Sequence, residues 1–155
     1  MQPLFDAELN YQDGLKPIVA EEGREGDLIG SGTGHVTGRN CGYHPVVDVC
    51  SELPVSGGRP QLPRAGRTET GDHVCKTNPG AVIETNDGAT IWLEAKGFGL
   101  RREKTHPEWT LTAALRFETK HPKYAWLNET LGIWEGSFDE GARRATYRAF
   151  VVPPR

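Results

Sequence analysis

Glu84, Trp92 and Glu94 have the residue types for proton transfer, and their spacing brings them together. Alternate residues of a strand share a sheet face, and so do their register partners on the next strand. If that face turns into a barrel, Trp92 strips water from a neighbouring carboxylate, whose pKa then rises so that it works as a general acid or base. If the face turns outward, these are ordinary solvated strand residues, the commoner fate of charges at this spacing. His44 and Asp48 share parity in a second segment. At roughly 3.3 Å of rise per residue they stand about 13 Å apart, so they pair directly only if the strand bends at Pro45. The candidate catalytic groups are therefore His44, Asp48, Glu84 and Glu94. Trp92 and Trp134 are the candidate apolar contacts to a substrate, and Arg101 or Arg116 is placed to orient an anionic group through a bidentate contact.

Other chemistries find weaker support. Gly30-Ser31-Gly32-Thr33-Gly34 has the look of a phosphate cradle. It continues as His35-Val36-Thr37-Gly38, without the Lys-Ser/Thr and the helix that a nucleotide loop needs. Glycines in a strand more often mark bulges or sharp bends of a closing barrel. No G-x-S-x-G elbow occurs. His73 and Cys75 share a strand face, and His44 and Cys50 share parity, but no paired metal-ligand motif is present. Neither a metal nor a cofactor is expected.

The elements that position these groups read as β throughout. In the segment 81–97, Asn86-Asp87-Gly88 suits a three-residue loop, a type I turn followed by a left-handed glycine. That register pairs Thr85 with Ala89, Ile83 with Ile91 and Ala81 with Leu93, which separates an apolar face from a charged one. Period-two alternation also marks residues 4–11 and 109–119. Further strands are expected over 15–20, 28–37, 43–50, 131–138 and 145–152, and one short helix over 121–131 with Pro122 in its first turn. About eight or nine antiparallel strands in one small domain close into a barrel or split into a sandwich. Residues 53–72 carry three prolines and three arginines and read as a long surface loop.

With 155 residues, the chain fits one domain, 1–155. Its net charge of -3 gives no general attraction to nucleic acid, and no apolar run is long enough to span a membrane as a helix. The N-terminal residues lack a basic leader, and Cys41, Cys50 and Cys75 cannot all pair. A cytoplasmic protein with reduced thiols is the expectation.

Glu84-Thr85-Asn86-Asp87-Gly88-Ala89-Thr90-Ile91-Trp92 resembles the T-D-D-G-A-x-I-Y segment of the domain of unknown function 3237 family. Phe117-Glu118-Thr119 with Tyr124-Ala125-Trp126-Leu127-Asn128 resembles its F-E-T and Y-A-W-L-N segments at the right distance. Gly34 to Gly38 and the strand Tyr147 to Val152 resemble two more. The chain departs from the family's G-G-x-D-W stretch, where Asp48 is an approximate counterpart with no Trp after it. The resemblance implies an all-β, calycin-like antiparallel closed β-barrel, commonly dimeric, so a homodimer is expected.

Three function classes follow. The first is a cofactor-independent lyase, isomerase or hydrolase moving a proton on a small hydrophobic, aromatic or polyketide-like molecule inside the barrel. The second is a non-catalytic binding module for such a molecule, and the third a structural dimerisation domain. The site is expected inside the barrel, near a mouth covered by residues 53–72, because barrels of about eight strands hold at most one small ligand.

Overall fold

The structure is a computed structural model, and the residues it describes are 1–11, 16–17, 28–29, 32–38, 66–67, 73–77, 80–102 and 107–152. The elements are β1 (Gln2–Tyr11), β2 (Lys16–Pro17), β3 (Leu28–Ile29), β4 (Gly32–Gly38), β5 (Gly66–Arg67), β6 (His73–Thr77), β7 (Gly80–Glu84), β8 (Thr90–Arg101), β9 (Glu108–Glu118), a 3-10 helix (Pro122–Glu129), β10 (Gly132–Asp139) and β11 (Arg144–Val151). Among the described residues, β2 and β3 pair only with each other. The other nine strands form one antiparallel sheet in the order β4-β1-β11-β10-β9-β8-β6-β5, with β7 also on β8. This sheet curls into a nearly closed barrel. Among the described residues no helix is long and apolar enough to cross a membrane.

Alternation decides which side of each strand is buried. Phe5, Ala7 and Leu9 of β1, Ile91, Leu93 and Ala95 of β8, Leu111 to Phe117 of β9 at every second residue, and Ala145, Tyr147, Ala149 and Val151 of β11 form one core. The β7–β8 hairpin has the expected register, with Ala81 opposite Leu93 and Ile83 opposite Ile91. Gly88 sits at φ 81°, in the left-handed region the three-residue loop requires. β6 and β7 lie end to end along β8 in a single register, Thr77 opposite Gly97 and Gly80 opposite Glu94.

Three inward glycines make the curvature possible. A Cβ at Gly34, Gly97 or Gly136 would stand 2.0, 1.9 and 1.9 Å from the carbonyl oxygens of Glu8, Thr112 and Thr146. Only a residue without a side chain lets neighbouring strands cross this closely at a bend. The 30–34 run thus acts through Gly32 and Gly34 as bends of the sheet.

The expected helix forms with 3-10 geometry: Tyr124 N–H donates to His121 O and Thr130 N–H to Leu127 O, both three residues back. It buries Tyr124 and Leu127 completely, while Trp126 is half-buried at the core's edge.

Two expectations need correction. The inward placement of Glu84, Trp92, Glu94 and Arg116 does not hold: all four are exposed, Trp92 by 58%. The reason is the opposite face of the same strands, where Ala81, Ile83, Ile91, Leu93, Ala95, Leu115 and Phe117 take the core and leave these charges to water. Within the predicted 53–72 loop, Gly66–Arg67 is a strand paired with β6. The rest of that loop and the predicted strand 43–50, with His44, Asp48 and Cys50, lie outside the described residues, as does Cys41. Phe98 and Leu100 join Trp92 on the solvent face of β8.

Candidate functional site

Arg101 is the one strongly charged side chain of β8 that strand parity turns inward, two places beyond Gly99 and four beyond Gly97. Its side chain is only 16% exposed, and its guanidinium lies 4.3 Å from the centre of the Trp109 ring. Trp109, the second residue of β9, is buried beside it. Stacking a guanidinium on an indole stabilises the charge by an attraction that grows as water is removed.

The counter-charge is Glu140, at the start of the turn between β10 and β11. One of its oxygens, Oε2, accepts from Arg101 Nη1 at 2.8 Å and from Trp109 Nε1 at 3.4 Å. The turn is held by bonds that do not use the Glu140 carboxylate. Glu140 N–H donates to Pro107 O at 2.9 Å, Ala142 N–H donates to Asp139 Oδ1 at 2.8 Å, and Arg143 takes a left-handed φ of 55°. Arg143 O also accepts from Tyr11 N–H at 2.9 Å, which ties β1 to the same end. Arg101 Nε is buried and has no hydrogen-bond partner among the described residues.

Aromatic side chains continue from this cation into the barrel. Phe138 is the register partner of Trp109, and Tyr11 meets Phe138 edge-on at 5.1 Å. The Tyr147 hydroxyl hydrogen-bonds to that of Tyr11, and burial, the larger effect, pushes the Tyr11 phenol above its ordinary range. Tyr147 stacks on Trp134 with centroids 4.2 Å apart and planes 8° from parallel. Gly136 is the register partner of Tyr147, so no β10 side chain stands opposite that ring. One end of the barrel thus carries Arg101, a ring-lined wall and two coupled hydroxyls. Such a set can hold an anionic group and donate a hydrogen bond to oxygen at a reacting carbon.

Of the sequence-predicted residues, Arg101 belongs to this end, and Trp134, two residues from the opposite end of β10, meets the ring wall through its stack on Tyr147. Glu84, Trp92, Glu94 and Arg116 lie together on the outer face, with Glu94 opposite Arg116 and Trp92 opposite Glu118. His44 and Asp48 lie outside the described residues. Sequence reasoning passed over Tyr11, Tyr147 and Glu140 as site residues. Tyr11 was legible, since it ends the apolar face of β1, and Tyr147 has the parity of Ala145 and Ala149. Glu140 carries no periodic signal, because it stands in a turn.

The 3-10 helix stands at the opposite end, between β9 and β10, with Tyr124 and Leu127 in the core. Tyr124 Oη donates to both oxygens of Asp87 at 3.0 and 3.1 Å, and Lys123 Nζ donates to Asp87 Oδ2 at 2.6 Å. The Lys123 hydrogen bond, followed by that from Thr85, holds the Asp87 carboxyl well below the usual range. Asn128 clamps the backbone of Thr119 with a bond to its N–H and one to its carbonyl, at 2.8 and 2.9 Å.

On the outer surface, Asp6, Glu8, Glu135, Thr146 and Arg148 line an open groove over Gly136. Arg148, its one cation among the described residues, is engaged, lying 3.5 Å from Asp6.

The family model described as Protein of unknown function (DUF3237) matches residues 2–152. No curated protein matches the chain. Among solved structures, a β-barrel-like protein of Acinetobacter baumannii is 17% identical with a TM-score of 0.63, over 97% of this chain and 93% of that one. A protein of unknown function from Clostridium acetobutylicum is 18% identical, TM-score 0.63, over 97% of each chain. A conserved protein of unknown function from Rhodopseudomonas palustris is 20% identical, TM-score 0.64, over 97% and 96%. These likenesses establish a shared fold across nearly the whole chain. With a family model matched from β1 to the residue after β11, this chain belongs to the DUF3237 family of proteins of unknown function.

Proposed function

We propose that this barrel takes up a small, largely aromatic or polyketide-like molecule at its Arg101 end. One observation carries the reading: a mostly buried guanidinium on Trp109 stands at the head of a run of aromatic rings that leads inward to Tyr11 and Tyr147. A fold gains little stability from a buried cation, because desolvation offsets most of the Coulomb attraction. Arg101 therefore fits a recognition role better than a structural one. The inward positions beside it, Gly97 and Gly99, bring no side chain of their own.

A second reading adds chemistry. The Tyr11 phenol stays neutral in its apolar setting and accepts a hydrogen bond from Tyr147. A neutral phenol in that state donates to a carbonyl oxygen and stabilises the enolate formed when a solvent water takes the proton of the adjacent carbon and the C–H electron pair passes into the enolate. This supports a lyase or isomerase that works without a cofactor.

The test begins with a thermal-shift and tryptophan-fluorescence screen of neutral and acidic aromatic compounds. Binders are then incubated with the protein in deuterium oxide, and exchange at carbons next to a carbonyl is followed by proton NMR. Binding with exchange that disappears in Tyr11→Phe supports the enzyme. Binding without exchange leaves a binding module, and a panel that gives no binder overturns both readings.

A further inference from the structure

We infer that Glu140 is a resident stand-in for a carboxylate on the ligand, and that the barrel therefore selects planar aromatic acids. The inference rests on the reading that the Arg101 end binds a small molecule, and it names the class.

The two partners of the ion pair are held very differently. Arg101 is fixed on a long strand, 16% exposed, with its guanidinium carbon 4.3 Å from the centre of the Trp109 ring. Glu140 is 41% exposed on a turn whose hydrogen bonds come from the backbone and the Asp139 side chain rather than from the Glu140 carboxylate. Its side chain can leave for water without disturbing that turn. Its grip is also incomplete: a single oxygen serves both Arg101 and Trp109, the second at 3.4 Å. Arg101 Nε remains buried and unpaired among the described residues. A guanidinium binds a carboxylate best through two parallel bonds, and Glu140 supplies one.

Exchange follows from charge. If Glu140 swings out alone, Arg101 is left uncompensated in a mostly dry site, which is strongly unfavourable. If a ligand carboxylate enters as Glu140 leaves, the charge of the site is unchanged, and the newcomer can take the Nε–Nη2 edge, whose two parallel N–H groups suit a carboxylate and whose Nε Glu140 leaves unused. A neutral ligand gains neither. The rings of Trp109, Phe138, Tyr11 and Tyr147 beside the cation favour a flat apolar body behind the carboxylate.

The probes are 2-naphthoate and its neutral analogue 2-naphthamide, titrated calorimetrically into the full chain. Glu140→Gln removes the resident competitor while keeping its shape. It is expected to bind 2-naphthoate about tenfold or more tightly than the unsubstituted chain, the scale of one charged hydrogen bond, with 2-naphthamide unaffected. Arg101→Lys, which keeps the charge but loses the fork, is expected to weaken the preference for the acid without abolishing it. A second measurement needs no charge-changing variant: in the unsubstituted chain, 2-naphthoate should shift the Arg101 Nε–H resonance downfield and 2-naphthamide should not. An unchanged or weakened affinity in Glu140→Gln, or an unmoved Nε–H signal, overturns the stand-in. If the amide binds as well as the acid in every variant, the stand-in falls and the small-molecule site stands. If neither probe binds any variant, the stand-in also falls, and the site is judged on the wider panel.

Discussion

Tyr124 reaches across 37 residues of sequence to place its hydroxyl within 3.1 Å of both carboxylate oxygens of Asp87. The tyrosine comes from the 3-10 helix and the aspartate from the β7–β8 turn, so this contact joins the helix to the barrel rim. The ring is completely buried, so its hydroxyl has Asp87 in place of water. Tyr124→Phe is expected to lower stability by about 1–2 kcal/mol, read from urea melts, with the far-UV circular dichroism unchanged. A variant as stable as the parent would show that the helix is held by apolar contacts alone.

The same carboxylate makes the fold sensitive to acid. The Lys123 and Thr85 hydrogen bonds depress the folded-state pKa of Asp87, so its contribution is complete above the ordinary carboxylate pKa of about 4. It is lost as pH falls below that value toward the depressed one. Melting temperatures between about pH 5 and pH 2 should therefore fall more steeply for the parent than for Asp87→Asn. Parallel curves would remove Asp87 from the acid transition.

Gly97 and Gly88 predict different penalties for the same substitution. At Gly97 a methyl group meets the Thr112 carbonyl oxygen at 1.9 Å and the Ala113 backbone at 2.4 Å, so β8 and β9 must separate. Gly97→Ala is expected to cost about 3 kcal/mol, the upper end of overpacking penalties. At Gly88 nothing lies within 4 Å, and only the φ of 81° resists a side chain. Gly88→Ala should cost about 1–2 kcal/mol, the left-handed penalty alone. Chemical denaturation of both variants ranks them directly.

At the other end, burial keeps the Tyr11 phenol neutral above its usual range. Because the folded-state pKa is raised, the stability tied to neutral Tyr11 is present below about pH 10 and lost as pH climbs beyond it. Tyr11→Phe should flatten the alkaline part of the stability curve, and the tyrosinate absorbance in the near ultraviolet should lose one late-titrating phenol. An early, unperturbed titration of Tyr11 would place its ring in water.

Much of the barrel was legible because alternation is a strong signal. The 85–89 loop, its register and the left-handed Gly88 followed from three residues, Asn86-Asp87-Gly88, and from the separation of apolar and charged positions around them. What alternation leaves open is which face points inward when one face carries a large aromatic. Trp92 drew attention to the charged face, yet Ile91, Leu93 and Ala95 are uniformly apolar and decided the matter. Arg101 was legible as an anion contact, though the signal did not separate it from Arg116, which β9 turns to water. Its partner Glu140 was beyond reach, because the pairing is made by a turn 39 residues later that period-two patterning does not position.

The seam between β1 and β11 sets an order of events during synthesis. Gln2 pairs with Val151 and Ala7 with Tyr147, so β1 leaves the ribosome well before the strand that satisfies this edge. Hairpins such as β7–β8 and β10–β11 close over a few residues, whereas this ladder must bring together segments separated by most of the chain, the slowest kind of contact to form. Tyr11 and Tyr147 lie on the two sides of that seam. The coupled hydroxyls are thus assembled at the end of folding, and a nascent chain that lacks β11 has the cation and its indole but not the phenol pair.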